Sequence, residues 1–350
     1  MSTLSVQSSR HDIDHDEMDR EFSERDSVHR NTALGISLSG QNIIFAEVEK
    51  KTDHFVTTKM GVVQTKMKFG SGIEGVERNV VDLYSYINGC LEDNAIRARR
   101  YNLSLNTQLS TLHRMIVESN SPEQDLESFI KWELSKQLLD EPDQYILNTA
   151  RLNSASSGKE TPMLVVGIRR RIIETLAQVL EKTKIMMTCI DIDILCSHAA
   201  YEMNYDKYPD GLTVLAEIKP GVSTLLLCED YDILQAYQFN SSNKATPQKV
   251  ATLLNAHLDN LMHSYSERSG ESRALGRVLL TSDYASSALR FVEPRFNAET
   301  INPLKKVQLP VFEYENNETE EEKDEEKPEE ETPDYSPFAE AIGAALKLIV

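Results

Sequence analysis

The sequence predicts an α/β fold of two lobes facing a cleft, with a small α+β subdomain inserted in the first lobe. Three observations predict it. The same run of strand, tight turn, strand, strand and helix occurs twice, opening at Ala33 and again at Leu212. A stretch between them, from Tyr101 to Thr161, carries a helix and strands of its own. The charge is also segregated. Thirteen acids against two lysines from Glu313 to Asp334, and eight acids against four arginines in residues 1–31, carry −15 of the net −19, leaving −4 for the rest. The chain therefore divides into a disordered acidic tail (1–31), a first lobe (32–204) holding the insert (101–161), a second lobe (205–312), a disordered acidic linker (313–334) and a C-terminal helix (335–350) packing on the first lobe.

Each element has its own signal. Leu34, Ile36 and Leu38 alternate, Ser39-Gly40-Gln41-Asn42 turns, and Ile43 to Val48 returns as a strand. Phe55 to Gln64 follows as a third strand. After Gly70-Ser71-Gly72, Val76, Val80, Leu83, Ile87 and Leu91 mark one face of a helix. In the insert, Ser121-Pro122-Glu123-Gln124 opens a helix with Leu126, Phe129, Ile130, Leu134 and Leu138 on one side, the single tryptophan, Trp132, lying off that stripe. Tyr145 to Leu152 reads as a strand and Asn153 to Glu160 as a polar loop. Met163–Ile168 and Met186–Ile192 read as strands around a helix from Ile172 to Lys182, and a helix from Leu195 to Met203 closes the lobe. The second half repeats the pattern with strands at Leu212–Ile218, Ser223–Cys228 and Ile233–Phe239, then a helix from Pro247 to about Tyr265. Beyond the linker, Phe338, Ala341, Ile342, Ala345, Leu346 and Ile349 recur at helical spacing, the mark of a docked helix.

Composition narrows the function classes. The four cysteines (Cys90, Cys189, Cys196, Cys228) form no metal-binding spacing and read as reduced, buried residues of a cytosolic protein. No apolar run approaches the ~20 residues that span a bilayer, and the N-terminus shows no signal segment, so the expectation is a cytoplasmic protein without direct membrane insertion. The folded part is mildly acidic and lacks a basic-aromatic stripe, which argues against nucleic acid. The clusters Arg97, Arg99, Arg100 and Arg169–Arg171 read as solvated surface. Asp191 and Asp193, alternating with Ile190, Ile192 and Ile194, read as the exposed edge of a strand end. No Ser-His-Asp or Cys-His constellation is present.

Phe129-Ile130-Lys131-Trp132-Glu133, then Asp143-Gln144-Tyr145-Ile146-Leu147, resembles the extra subdomain of the PilM family of type IV pilus assembly proteins, within the actin-like ATPase superfamily. Met163 to Gly167 with its helix, and Pro337-Phe338-Ala339 through Leu346, resemble segments of the same family. The resemblance implies the two-lobed actin-like (ribonuclease H-like, duplicated) fold over residues 33 to 312 plus the terminal helix. It also implies nucleotide loops, and here they are degenerate. The first hairpin of the superfamily reads Asp-x-Gly-Ser/Thr, but Ser37 replaces the acid, Ser39 the glycine and Gly40 the hydroxyl. The second reads Asp-Ile-Gly, but this chain has Glu217-Ile218-Lys219-Pro220-Gly221, with a lysine for the glycine and a proline that removes a backbone donor. The Gly-Gly turn beside the adenosine reads Thr281-Ser282-Asp283-Tyr284.

These departures predict no catalytic residue, no resident metal and no cofactor, hence a pseudo-ATPase, the alternative being weak binding of ATP with Mg²⁺, its phosphate attracted by a lysine as a point charge. By resemblance, the protein acts as a scaffold of a pilus-like or related envelope machine, peripheral at the inner membrane. It would bind the cytoplasmic N-terminus of a PilN-like single-span protein, and other pilus or secretion components, through the insert and the first hairpin. The rivals are a nucleotide-binding ATPase of pilus assembly and an FtsA-like filament-forming protein. Against the latter, the terminal helix holds one lysine and one acid, not a basic amphipathic face.

Overall fold

The computed structural model describes residues 31–67, 73–118, 122–138, 140–152, 160–208, 211–270, 272–309 and 333–350. The acidic tail, nearly all of the acidic linker, Gly70-Ser71-Gly72, Ser121 and most of the 153–160 loop lie outside them. The first half runs β1 (Thr32–Ser39), β2 (Asn42–Lys50), β3 (Phe55–Gln64), α1 (Ile73–Asp93), β4 (Arg100–Leu105), β5 (Ser110–Glu118), α2 (Glu123–Ser135), β6 (Tyr145–Arg151), β7 (Glu160–Arg169), α3 (Arg170–Leu180), β8 (Met186–Ile192) and α4 (Asp193–Asn204). The second half runs β9 (Leu212–Glu217), β10 (Val222–Glu229), β11 (Asp232–Asn240), α5 (Pro247–Ser269), β12 (Leu275–Thr281), α6 (Ala285–Leu289) and β13 (Ala298–Thr300). A short β14 (Val307–Gln308) and a terminal α7 (Ala339–Ile349) return to the first half.

The duplication is explicit in the sheets. The first orders its strands β3-β2-β1-β4-β8 and the second β11-β10-β9-β12-β13. In each, the first three strands are antiparallel neighbours and the last two join in parallel. β14 extends the first sheet beyond β3. β1 is buried along its whole length. Leu34 and Ile36 enter the first-lobe core, while Ala33 packs with Ile342, Ala345 and Leu346 of α7 on the opposite face.

The insert is a separate three-stranded sheet, β5-β7-β6, with different limits from those read in the sequence. Residues 101–105 belong to β4, in the middle of the first sheet, and β7 is the central strand of the insert. The insert thus runs from Ser110 to Arg169, not from 101 to 161. β7 alternates between two cores, as its period-2 geometry requires. Leu164, Val166 and Ile168 join the first-lobe core, and Val165 packs with Met115, Ile130 and Leu134 under α2.

Candidate functional site

Strand alternation builds the cleft. Along β9, Leu212, Val214, Ala216 and, just past its end, Ile218 point into the second-lobe core, whereas Leu215 packs with the first-lobe core. Glu217 shares the phase of Leu215, and Lys219 follows two residues on. The turn after β9 is stitched by Ser223, whose hydroxyl donates to the Lys219 carbonyl at 3.1 Å and accepts from its N–H at 3.2 Å.

From the first lobe, β8 ends where α4 begins, and Asp193 occupies the first position of that helix. Its Oδ1 accepts from the N–H groups of Ile194 at 2.8 Å and Thr107 at 3.0 Å, and from the Thr107 hydroxyl. A carboxylate is favoured there by the positive end of the helix dipole. Glu340, in the first turn of α7, accepts at Oε2 from the Ser37 hydroxyl on β1.

These groups converge on one ammonium. Lys219 Nζ donates to Asp193 Oδ2 and Glu217 Oε1, both at 2.8 Å. It lies 2.9 Å from Glu340 Oε1, an ion pair off the direction of a hydrogen bond. All four side chains are buried. Burial works against the charged form of Lys219, but Asp193, Glu217 and Glu340 together outweigh it and hold its pKa well above the usual lysine value. Burial first, and then the charges of Asp193 and Glu340, push Glu217 well above the ordinary carboxylate range, with Lys219 opposing them.

The remaining loop residues lie around this centre. The Ser39 hydroxyl donates to Asp283 Oδ2 at 3.4 Å, closing the cleft between the lobes at a second point. Gly40 holds φ +59° at the β1–β2 turn, where a Cβ would stand 3.9 Å from the same carboxylate oxygen. Burial, then Glu340, raises the Asp283 pKa. Ser282 keeps a left-handed φ of +86°, a conformation that suits glycine, and its hydroxyl donates to the Ile218 carbonyl. Gly221 takes no part in the cluster. It has φ +91°, and its N–H donates to Ser241 Oγ at 3.1 Å.

Two members of the centre were absent from the sequence-derived set. Asp193 is 1% exposed, not the exposed strand edge expected of it. The signal available was an acid at the junction of an apolar strand and a helix. Glu340 is also 1% exposed, and its signal was the one acid in a helix that is apolar but for it and Lys347. Asp191, one turn of alternation away, instead pairs with Lys347 of α7.

Asp193, Glu217 and Glu340 bring their ligand oxygens within 4.8 Å of one another, the spacing of a cation site. A Mg²⁺ of the kind the superfamily uses does not fit. It needs near-octahedral oxygen ligands at about 2.0–2.1 Å and retained waters, and the centre of the triad is filled by the lysine, with the outer Glu340 oxygen taken by Ser37.

Duplicated sheets of matching order, clasped over a cleft by loops at their strand ends, define an actin-like ATPase fold. By structure, the chain is similar to a PilM–PilN type IV pilus biogenesis complex, with TM-score 0.67 and 15% identity over 91% of this chain and 98% of that one. A Bacteroides thetaiotaomicron protein with actin-like ATPase fold and unknown function overlaps more loosely, with TM-score 0.46 and 11% identity over 79% of this chain and 93% of that one. No curated protein matches by sequence. The profile described as type IV pilus assembly protein PilM matches residues 35–220. The chain belongs to the PilM family.

Proposed function

We propose that this protein is a non-catalytic scaffold of a type IV pilus-like envelope machine, recruiting a single-span membrane partner through its insert. The observation that carries the reading is Lys219. Phosphoryl transfer on this fold relies on a metal bridging phosphate oxygens and on a positioned water, and the three carboxylates that would organise a cation are occupied by the protein's own ammonium. Purified protein is expected to release no phosphate from ATP above background with Mg²⁺ present. Steady-state turnover that disappears in Glu217→Ala would overturn the non-catalytic half of the proposal.

The insert supports the other half. Phe129 and Trp132 on α2 are 37% and 57% exposed, with ring centroids 6.1 Å apart, so the tryptophan does not close a core. Lys136 Nζ sits 3.1 Å from the Trp132 ring centroid, a cation–π contact at the surface. At the rim of the same sheet, β6 pairs only with β7 among the described residues, leaving an edge that suits an extended peptide. No helix among the described residues is long and apolar enough to cross a membrane, and a membrane-borne peptide partner, PilN-like by family, would hold the scaffold at the inner face of the inner membrane. Affinity purification from detergent extract should recover a single-span protein with the intact chain. Recovery should fall about tenfold with Phe129→Ala/Trp132→Ala, equivalent to ~1.4 kcal/mol. Equal recovery by both, or recovery of partners without a membrane span, would sink this half.

A further inference from the structure

We propose that Lys219 is a built-in substitute for a divalent cation, fixing the lobes of the cleft together and excluding metal from a site that the surrounding carboxylates are otherwise arranged to form. The geometry carries the assignment. Three carboxylates from three elements aim oxygens at one point, and the ammonium occupies that point with N···O distances of 2.8, 2.8 and 2.9 Å. The ligands come from both sides of the cleft. Glu217 belongs to β9 of the second lobe, Asp193 to α4 of the first, and Glu340 to α7, which packs against β1, β2 and α4. Where a cation bound with nucleotide would draw the two lobes together from outside, this chain carries the charge on its own lysine side chain. Closure is then permanent, independent of any ligand concentration.

The surroundings agree. A buried lysine would lose its charge without partners, and here every neighbouring carboxylate favours keeping it. The oxygens that do not face Lys219 are served from elsewhere, Asp193 Oδ1 by Thr107 and Ile194 and Glu340 Oε2 by Ser37. Two of the three carboxylates are thus oriented from behind, as the ligands of a coordinated centre are. The inference rests on the non-catalytic reading only in sharing its location. Its test reads metal binding and stability, neither of which depends on a partner or on turnover.

The test is thermal unfolding of the full chain and of Lys219→Ala, each in chelator and in millimolar Ca²⁺ or Mn²⁺. Wild-type protein should melt at the same temperature in all conditions. Lys219→Ala should melt lower in chelator and rise by about 4 °C with the cation, the shift that ligand at about 100 Kd gives a chain of this size. Adding Glu217→Gln and Asp193→Asn to Lys219→Ala should abolish that rise, separating the triad from acidic segments elsewhere in the chain. A Lys219→Ala protein indifferent to cations overturns the proposal, as does wild-type protein that responds as strongly as the variant, or a response that survives in the triple variant. If Lys219→Ala does not refold in chelator, refolding in the cation becomes the readout. Recovery there supports the assignment, and failure in both conditions overturns it.

Discussion

Truncation before Tyr335 should leave a chain with no cooperative melt in its first lobe. α7 is eleven residues long and buries Ala339 to Leu346 and Ile349, covering the face of β1 and β2 opposite the main core. Fully burying an aliphatic side chain stabilises by about 1.5–3 kcal/mol, so Ile342, Leu346 and Ile349 alone approach the ~5–15 kcal/mol by which whole domains are stable. The truncation also removes Glu340, so Lys219 and Ser37 lose a partner and the cleft loosens. Circular dichroism melts with a dye for exposed apolar surface would show the loss. A sharp transition within a few degrees of the intact chain would contradict the role assigned to α7.

Gly343→Ala should rank among the most damaging single-methyl additions in the molecule. A Cβ at Gly343 would lie 1.7 Å from the Cys196 carbonyl oxygen and 3.1 Å from the Ala200 nitrogen, so the backbones of α7 and α4 touch there. The same helix meets β1 at Gly35, where a Cβ would lie 1.8 Å from the Ala341 oxygen. Overpacking by a methylene costs typically ~1–3 kcal/mol when side chains can yield. Here the obstacle is backbone, and a loss beyond ~3 kcal/mol is expected. Gly89→Ala in α1 is the control of opposite sign. Beyond the neighbouring backbone of its own helix, no atom lies within 4 Å of its added Cβ, and removing a mid-helix glycine should stabilise by about 0.5–1 kcal/mol. Urea unfolding of both variants checks the pair, and a Gly343→Ala chain as stable as Gly89→Ala would refute the close approach.

The sequence made the duplicated fold legible because its signals are local. Period-2 runs such as Leu34, Ile36, Leu38 and the helical stripe of α1 show their element types without reference to distant residues. The limits of the insert were not legible, since residues 101–105 were assigned to the insert and Met163–Ile168 to the lobe, and nothing local says which sheet a strand joins. β4 pairs with β1 and β8, and β7 with β5 and β6. The same limit applied to the cleft. Glu217 and Lys219 could be located from their place in a hairpin after a strand. Asp193 and Glu340 could not, because their burial follows from where α4 and α7 dock, and an acid near a helix start is equally suited to solvent.

The path of the chain has a consequence for synthesis. The first lobe begins with β1 but is finished by β14 and α7, so its sheet is closed by segments that follow the whole second lobe in sequence. During synthesis, domains ordinarily fold as they emerge, N-terminal first. This lobe cannot, because until α7 leaves the ribosome the face of β1 holding Ala33 and Gly35 has no cover. The second lobe, drawn from one continuous stretch, can form earlier and wait. Completion of the first lobe thereby waits for α7, and a chain cut short upstream of α7 displays an open apolar sheet to the cell's proteases.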